Sequence, residues 1–316
     1  MVDREEPLAD SRHFAMLYGT TPPRADAPAE RVLSAATRLA ERVAGLPLDG
    51  LVVYDVQDEA SRTATPRPFP YLPTIESPSY AQLLQQLTGK PAITYKCVVN
   101  QTEATWPGWL DTASDVHGLR YLTPVGMASS KGVHSAIHLS RATQMAAAHP
   151  AGFVLGGVAI AERHSPERSE SRRLIQKAAH GCRFFISQFA YDPEPSIRLL
   201  GDYVRECAEL GLAPRRVVLT FTPCGRPQTL GFIRWLGVTV PDATASAILN
   251  DPAPLSRSLA VCRDILRAIL DQPYADQLPL GINIESVSIN KAEIAATIEL
   301  LHTLREVARE RGLPVL

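Results

Sequence analysis

The chain alternates between two kinds of segment. Eight short apolar runs, near residues 14–18, 51–56, 92–97, 119–125, 153–159, 184–189, 217–221 and 280–285, are each followed by a polar or glycine-containing loop and a stretch of helical periodicity. A run this short and this apolar suits a strand buried on both faces, and strands linked by helices pair in parallel. Eight such units within 316 residues predict a single-domain (β/α)8 barrel of the TIM type over residues 13–316, with residues 1–12 a loose, charged segment. A doubly wound open sheet is the alternative, but no G-x-G-x-x-G follows the first strand.

In a barrel, chemistry belongs to the carboxyl ends of the strands. Glu162 and His164 fall in the loop after the fifth strand, where they can hold a cofactor phosphate or ribose, or cap the helix beginning near Ser169. Gln188 interrupts the apolar run of Phe184, Phe185, Ile186 and Phe189. A buried amide costs ~1–3 kcal/mol unless it is hydrogen-bonded, so a ligand or a polar network is expected around it. Glu285 ends the eighth strand and can act as a general acid if burial raises its pKa; the plainer reading is an ion pair with Lys291. Asp55 also stands at a strand end, as do Thr222 and Asn283, which are expected to contact the substrate. Lys96 could form a Schiff base. Cys224 as a nucleophile, or Cys97, Cys224 and His164 as metal ligands, lack diagnostic spacing. The proline-rich loop from Gln57 to Pro78 exceeds the usual connection length and is expected to be functional or lid-like.

Bulk properties exclude several classes. A net charge of -1 gives no basic field for nucleic acid or anionic lipid, and no apolar run approaches a membrane span of ~18 residues. The acidic, polar start of the chain is unlike a signal peptide, and five widely spaced cysteines fit reduced, buried thiols, so a cytoplasmic location is expected. A homo-oligomer is left open.

Three islands of sequence resemble the methylenetetrahydrofolate reductase family. Glu162 to Asp192, with its E-x-H loop, Lys177 and S-Q-F-x-Y-D, is similar to the family's P-E-x-H loop and T-Q-F-F-F-D strand. Thr21-Pro22-Pro23-Arg24 resembles the end of its first strand, and Ile289-Asn290-Lys291-Ala292-Glu293 resembles its L-N-R-A-E turn. The family fold is a (β/α)8 barrel. The resemblance implies folate contact by Gln188, substrate contact by Lys291, and contacts from His164 and Lys177 to the phosphate region of a flavin. The implied reaction is hydride transfer to 5,10-methylenetetrahydrofolate, giving 5-methyltetrahydrofolate, after an acid opens the methylene bridge.

The chain also departs from that pattern. The family's catalytic glutamate position is Gly19, its R-G-D flavin loop reads Val125-Gly126-Met127, its third-strand flavin histidine is Thr94, and its fifth-strand tyrosine is Ile160. The expectation is therefore a divergent oxidoreductase whose acid is Glu285, with Asp55 in reserve. Strands one and eight are neighbours in a closed barrel, so Glu285 can reach the space left at Gly19. Hydride would come from NAD(P)H, directly or through FAD. The alternative is a folate-binding barrel without reductase chemistry, acting as a carrier or complex subunit.

Overall fold

The computed structural model describes Leu8 and residues 13–59, 63–126 and 137–315. Eight parallel strands close into a barrel in sequence order: β1 (Ala15–Thr20), β2 (Gly50–Val53), β3 (Ala92–Cys97), β4 (Tyr121–Val125), β5 (Val154–Ala159), β6 (Cys182–Phe189), β7 (Arg216–Phe221) and β8 (Leu280–Ile284). Closure is made by β1 against β8, with Tyr18 level with Ile284. The helices are α1 (Ala29–Val43), α2 (Ser77–Thr88), α3 (Trp106–Asp111), α4 (Leu139–Ala147), α5 (Glu170–Ala179), α6 (Pro193–Glu209), α7 (Pro227–Trp235), α8 (Asp242–Leu249), α9 (Pro254–Leu270) and α10 (Lys291–Glu310). The fold is the (β/α)8 barrel expected of the alternation, and the inserted segment near 241–251 forms α8.

Strand periodicity sorts the side chains into two layers. Leu17, Val52, Ile93, Tyr121, Phe184, Ile186 and Val218 point inward and fill the barrel, so it is a packed core and not a pore. The alternate residues, Met16, Leu51, Val53, Leu122, Phe185, Val217 and Leu219, pack outward with the helices. Of residues 1–12 only Leu8 is described. It is buried in the inner cluster, and its carbonyl accepts from Arg216 Nε at 3.1 Å, so at this position the expected loose segment is instead part of the core.

Two strands end earlier than the apolar runs suggested. β2 stops at Val53 and β8 at Ile284, yet the backbone continues in strand fashion for one more residue on each. Tyr54 N–H donates to Thr20 O at 3.1 Å, and Glu285 N–H donates to Phe221 O at 3.1 Å. Tyr54 therefore keeps the inward direction of Val52, and Glu285 keeps that of Gly281 and Asn283.

The long loop after β2 is tied down on both sides. Ala25 N–H donates to Pro73 O and Ile75 N–H to Pro23 O, fixing it beside the end of β1. Trp235 Nε1 donates to Thr65 O at 3.0 Å, and the Arg67 guanidinium sits over Tyr71, Phe232 and Trp235, fixing it to α7.

Candidate functional site

Three consecutive strands, β8, β1 and β2, bring Asn283, Glu285, Gly19 and Tyr54 to one side of the barrel mouth. The β1–β8 register puts Gly19 level with Glu285. A Cβ built at Gly19 would lie 2.3 Å from Glu285 Oε2, 3.0 Å from Glu285 Cβ and 3.2 Å from the Tyr54 ring. Real Cβ contacts are never that close, so glycine at 19 is what admits the Glu285 carboxyl. The carboxyl thus occupies the space where a first-strand side chain would otherwise project.

Glu285 is only 8% exposed, and burial pushes its carboxyl from the ordinary glutamate range up to about 7. Hydrogen bonds from Tyr54 and Asn283 oppose the rise without cancelling it. Asn283 Nδ2 donates to Glu285 Oε2 at 3.2 Å, to the Tyr54 hydroxyl at 3.0 Å and to Thr220 Oγ1 at 3.4 Å. Tyr54 packs edge-on to Tyr95, with ring centroids 4.8 Å apart, and burial together with the nearby carboxyl holds both phenols well above their usual pKa. Such an arrangement can hold a proton near neutral pH and release it to a bound base. The expected ion pair between Glu285 and Lys291 is not made: Lys291 stands exposed at the start of α10.

Tyr54 was not among the sequence candidates. At the end of the run GLVVY it reads as one more core aromatic, and only the closed barrel shows its hydroxyl accepting from Asn283, the residue that also holds Glu285. Asp55, the reserve acid, points the other way: its Oδ2 accepts Cys97 N–H at 2.8 Å, its Oδ1 accepts Gln57 Nε2 at 2.8 Å, and Lys96 Nζ is 3.9 Å away. It stitches the end of β2 to that of β3 and does not face Gly19. Lys96 is spent in the same way, between Glu76 at 3.2 Å and the Trp109 ring.

The residues of the β5–β6 side are largely committed to the scaffold. His164 uses both ring nitrogens: Nδ1 accepts the Glu170 N–H at 3.2 Å, and Nε2 pairs with Asp202 Oδ2 at 2.9 Å. Beside the Ser169 cap it ties the start of α5 to α6, so both ring nitrogens of this expected cofactor contact are engaged within the fold. Lys177 reaches the Val158 carbonyl and the buried Glu170 carboxylate at 3.4 Å, and desolvation lowers its pKa. It braces α5 against β5 from behind, which also removes it from the mouth. Thr94 lies between the inward Ile93 and Tyr95 and faces the helices. Met127 lies outside the described residues. These positions do not fit a flavin.

Gln188 and Glu162 hold one turn between them. Gln188 Nε2 donates to Leu236 O at 2.9 Å, and Glu162 Oε1 accepts Thr239 N–H at 3.4 Å. The polar network expected around Gln188 is therefore met by backbone. Glu162 Oε2 remains buried without a partner, and burial raises its pKa. Thr222 is buried under the mouth; its carbonyl accepts from the Tyr191 hydroxyl at 2.5 Å, and its own hydroxyl has no partner among the described residues. Among the described residues no three His, Cys, Asp or Glu side chains converge to hold a metal, so Cys97, Cys224 and His164 are not brought together. No helix among the described residues is long and apolar enough to cross a membrane.

A second buried carboxylate was also missed. Glu293 accepts from Gly225 N–H at 3.0 Å, from Thr229 Oγ1 at 2.9 Å and from Ser288 Oγ, joining the loops after β7 and β8. In sequence it reads only as an acid in the first turn of α10, a common feature of helix starts.

Comparison with solved structures finds relatives of this barrel. An uncharacterized protein from Clostridium thermocellum that binds two copies of 5-methyl-5,6,7,8-tetrahydrofolic acid superposes with a TM-score of 0.80 and 28% identity, over 96% of this chain and 99% of that one. A dihydropteroate synthase from Xanthomonas albilineans reaches a TM-score of 0.47 at 13% identity, over 94% of both chains, too loose a likeness to carry an argument. No protein-family model and no curated protein matches the sequence.

Proposed function

We propose that this chain binds a reduced folate in the barrel mouth and reduces 5,10-methylenetetrahydrofolate to 5-methyltetrahydrofolate, with Glu285 as the acid and a reduced nicotinamide as the direct hydride donor. The observation that carries the reading is Glu285 itself: a buried carboxyl poised near neutrality, seated in the space that Gly19 leaves at the mouth. The folate ligand of the Clostridium thermocellum relative is the product of this reaction, and it supports the substrate class.

In the reaction, protonated Glu285 gives its proton to N10, the bridging nitrogen outside the pterin ring, which leaves the methylene carbon, and the carbon becomes an iminium on N5. Hydride from NAD(P)H adds to that carbon and makes the methyl group, leaving NAD(P)+. Solvent returns a proton to Glu285, so one proton and one hydride are consumed per turnover. An acid with a pKa near the working pH is well matched to this cycle. Direct transfer is favoured over a flavin because His164 and Lys177, the residues with which the resemblance would hold FAD, are bonded within the protein. No step here is routed through a flavin.

The second reading, a folate carrier without chemistry, draws on the same relative, which is described by what it binds. Purified protein incubated with NADH or NADPH and 5,10-methylenetetrahydrofolate separates the two. The reductase reading expects nicotinamide oxidation matched mole for mole by 5-methyltetrahydrofolate, from a colourless protein that releases no flavin on denaturation. Tight binding of 5-methyltetrahydrofolate with no turnover on either nicotinamide would favour the carrier.

A further inference from the structure

The loop between β2 and α2 carries a cation whose hydrogen-bonding demand is unmet. The guanidinium carbon of Arg67 lies 5.2 Å from the Trp235 ring centroid, 5.3 Å from that of Phe232 and 5.7 Å from that of Tyr71. Phe232 and Trp235 are buried and stacked with their planes 17° apart, and Phe69 packs edge-on to Phe232, so the seat is firm. Ring faces attract the cation but offer its N–H groups no oxygen. Arg67 Nε is buried without a partner, and among the described residues no hydrogen bond or ion pair reaches the rest of the guanidinium. Arg216 and Arg234 are settled differently: Arg216 donates to the carbonyls of Leu8, His13 and Leu280, and Arg234 to Val240 O and Asp242.

The backbone on both sides of Arg67 is pinned. Thr65 O accepts from Trp235 Nε1 at 3.0 Å and Pro68 O accepts from Gln228 Nε2 at 3.3 Å, while Pro66 and Pro68 restrict the chain between them. The loop leaves the end of β2, and α7 leaves the end of β7 and finishes in the turn that Gln188 and Glu162 hold. Arg67 therefore belongs to the rim of the mouth that holds Glu285.

We propose that Arg67 is the seat for a carboxylate at the glutamyl tail of the folate, the end remote from the reacting carbon. A guanidinium fixed by ring stacking, with its donors unspent, is preorganised for a planar oxyanion that takes two parallel N–H···O bonds. No second Lys or Arg lies over these rings among the described residues, and one cation matches the single charge of a carboxylate. A phosphate monoester, such as NADPH would bring, carries up to two charges. The assignment rests on the folate-binding reading, in its reductase or its carrier form alike, and it concerns affinity, not the chemical step.

The test uses two ligands that differ only in the tail, 5-methyltetrahydrofolate and 5-methyltetrahydropteroate, which lacks the glutamate. Each is titrated by calorimetry into the full chain as wild type and as Arg67→Gln. Wild type should bind the folate about 10- to 100-fold more tightly than the pteroate, and Arg67→Gln should lose that factor for the folate while binding the pteroate as before. Should Arg67→Gln fail to fold, Arg67→Lys, which keeps the charge and gives up the fork, must still narrow the gap between the two ligands. Equal affinity of wild type for both ligands, an undiminished gap in the variant, or equal losses of both ligands overturns the carboxylate seat while folate binding stands. NADPH titrated into the same proteins should be unaffected, and a loss confined to NADPH would assign Arg67 to a phosphate and overturn the seat as well. If wild type binds neither pterin ligand, it is the folate-binding reading that fails, and the seat falls with it.

Discussion

The two sides of the barrel mouth treat their polar residues in opposite ways. On the β5–β6 side, His164, Lys177 and Gln188 are engaged with backbone groups or opposite charges, and Glu162 holds the Thr239 N–H with one oxygen while its other oxygen stays buried without a partner; their effect is to hold α5 and the turn between α7 and α8. On the β8–β1–β2 side, the Glu285 carboxyl is buried without a cation, its pKa is displaced, and a glycine is required beside it. The first side matches a family motif in sequence and serves the scaffold. The second departs from that motif and holds a carboxyl raised to about 7, while burial also raises the pKa of Glu162 and lowers that of Lys177 on the first side. A polar side chain whose hydrogen-bonding capacity is used within the fold is a poor candidate for chemistry, while one kept at a cost is a good one.

Removing the acid should break this contrast most severely. Glu285→Gln is expected to lower kcat by at least about 100-fold with little change in KM, since its contribution is made only in the transition state. Steady-state kinetics with methylenetetrahydrofolate checks it.

Next in size is a pH effect on stability. The folded-state pKa of Glu285 is raised from 4.5 to about 7, so its contribution is fully present below the unfolded value and is lost as pH rises through the folded one. Denaturant melts from pH 4 to 8 should show wild type losing about 3 kcal/mol relative to Glu285→Gln over that window and levelling off above it.

Gly19→Ala comes third. Its methyl would have to displace Glu285 Oε2, so a stability loss of about 1–3 kcal/mol is expected. With the carboxyl shifted, kcat should fall by about tenfold. Chemical denaturation and kinetics on the same sample read both effects.

The opposite side supplies the smallest effect on activity. His164→Ala should cost about 1–2 kcal/mol through the lost hydrogen bonds to the Glu170 N–H and to Asp202 and leave kcat and KM at wild-type values. Lys177→Met should likewise destabilise, by leaving the buried Glu170 carboxylate short of a partner, without touching turnover. A kinetic defect in either variant, out of proportion to its stability, would return those residues to the site.

Much of the fold was legible in the sequence because each strand is a short apolar run buried on both faces, and that pattern survives without tertiary information. Glu285 was legible as well: a carboxylate directly after an apolar strand has to sit at a barrel mouth, and Gly19 marked a missing side chain next to it. Tyr54 was not, because an aromatic at a strand end looks the same whether its hydroxyl is idle or bonded. The partners of His164 and Lys177 were illegible for a different reason. His164 is satisfied in part by Asp202, on the next helix, and Lys177 by a backbone carbonyl and Glu170, and neither pairing leaves a mark in local sequence. Leu8 was hidden by its polar neighbours, which gave no sign that one leucine enters the barrel floor.

The central claim is that Glu285 supplies the proton, and the pH dependence of kcat for NAD(P)H-driven reduction of methylenetetrahydrofolate tests it most directly. Because the acid must be protonated to act, wild type should be fastest at acid pH and lose rate as a single ionisation near 7 removes the proton. Glu285→Gln should retain only a slow rate with that ionisation gone. A wild-type rate that is flat across neutral pH, or a Glu285→Gln enzyme that keeps both the rate and the ionisation, would contradict the account.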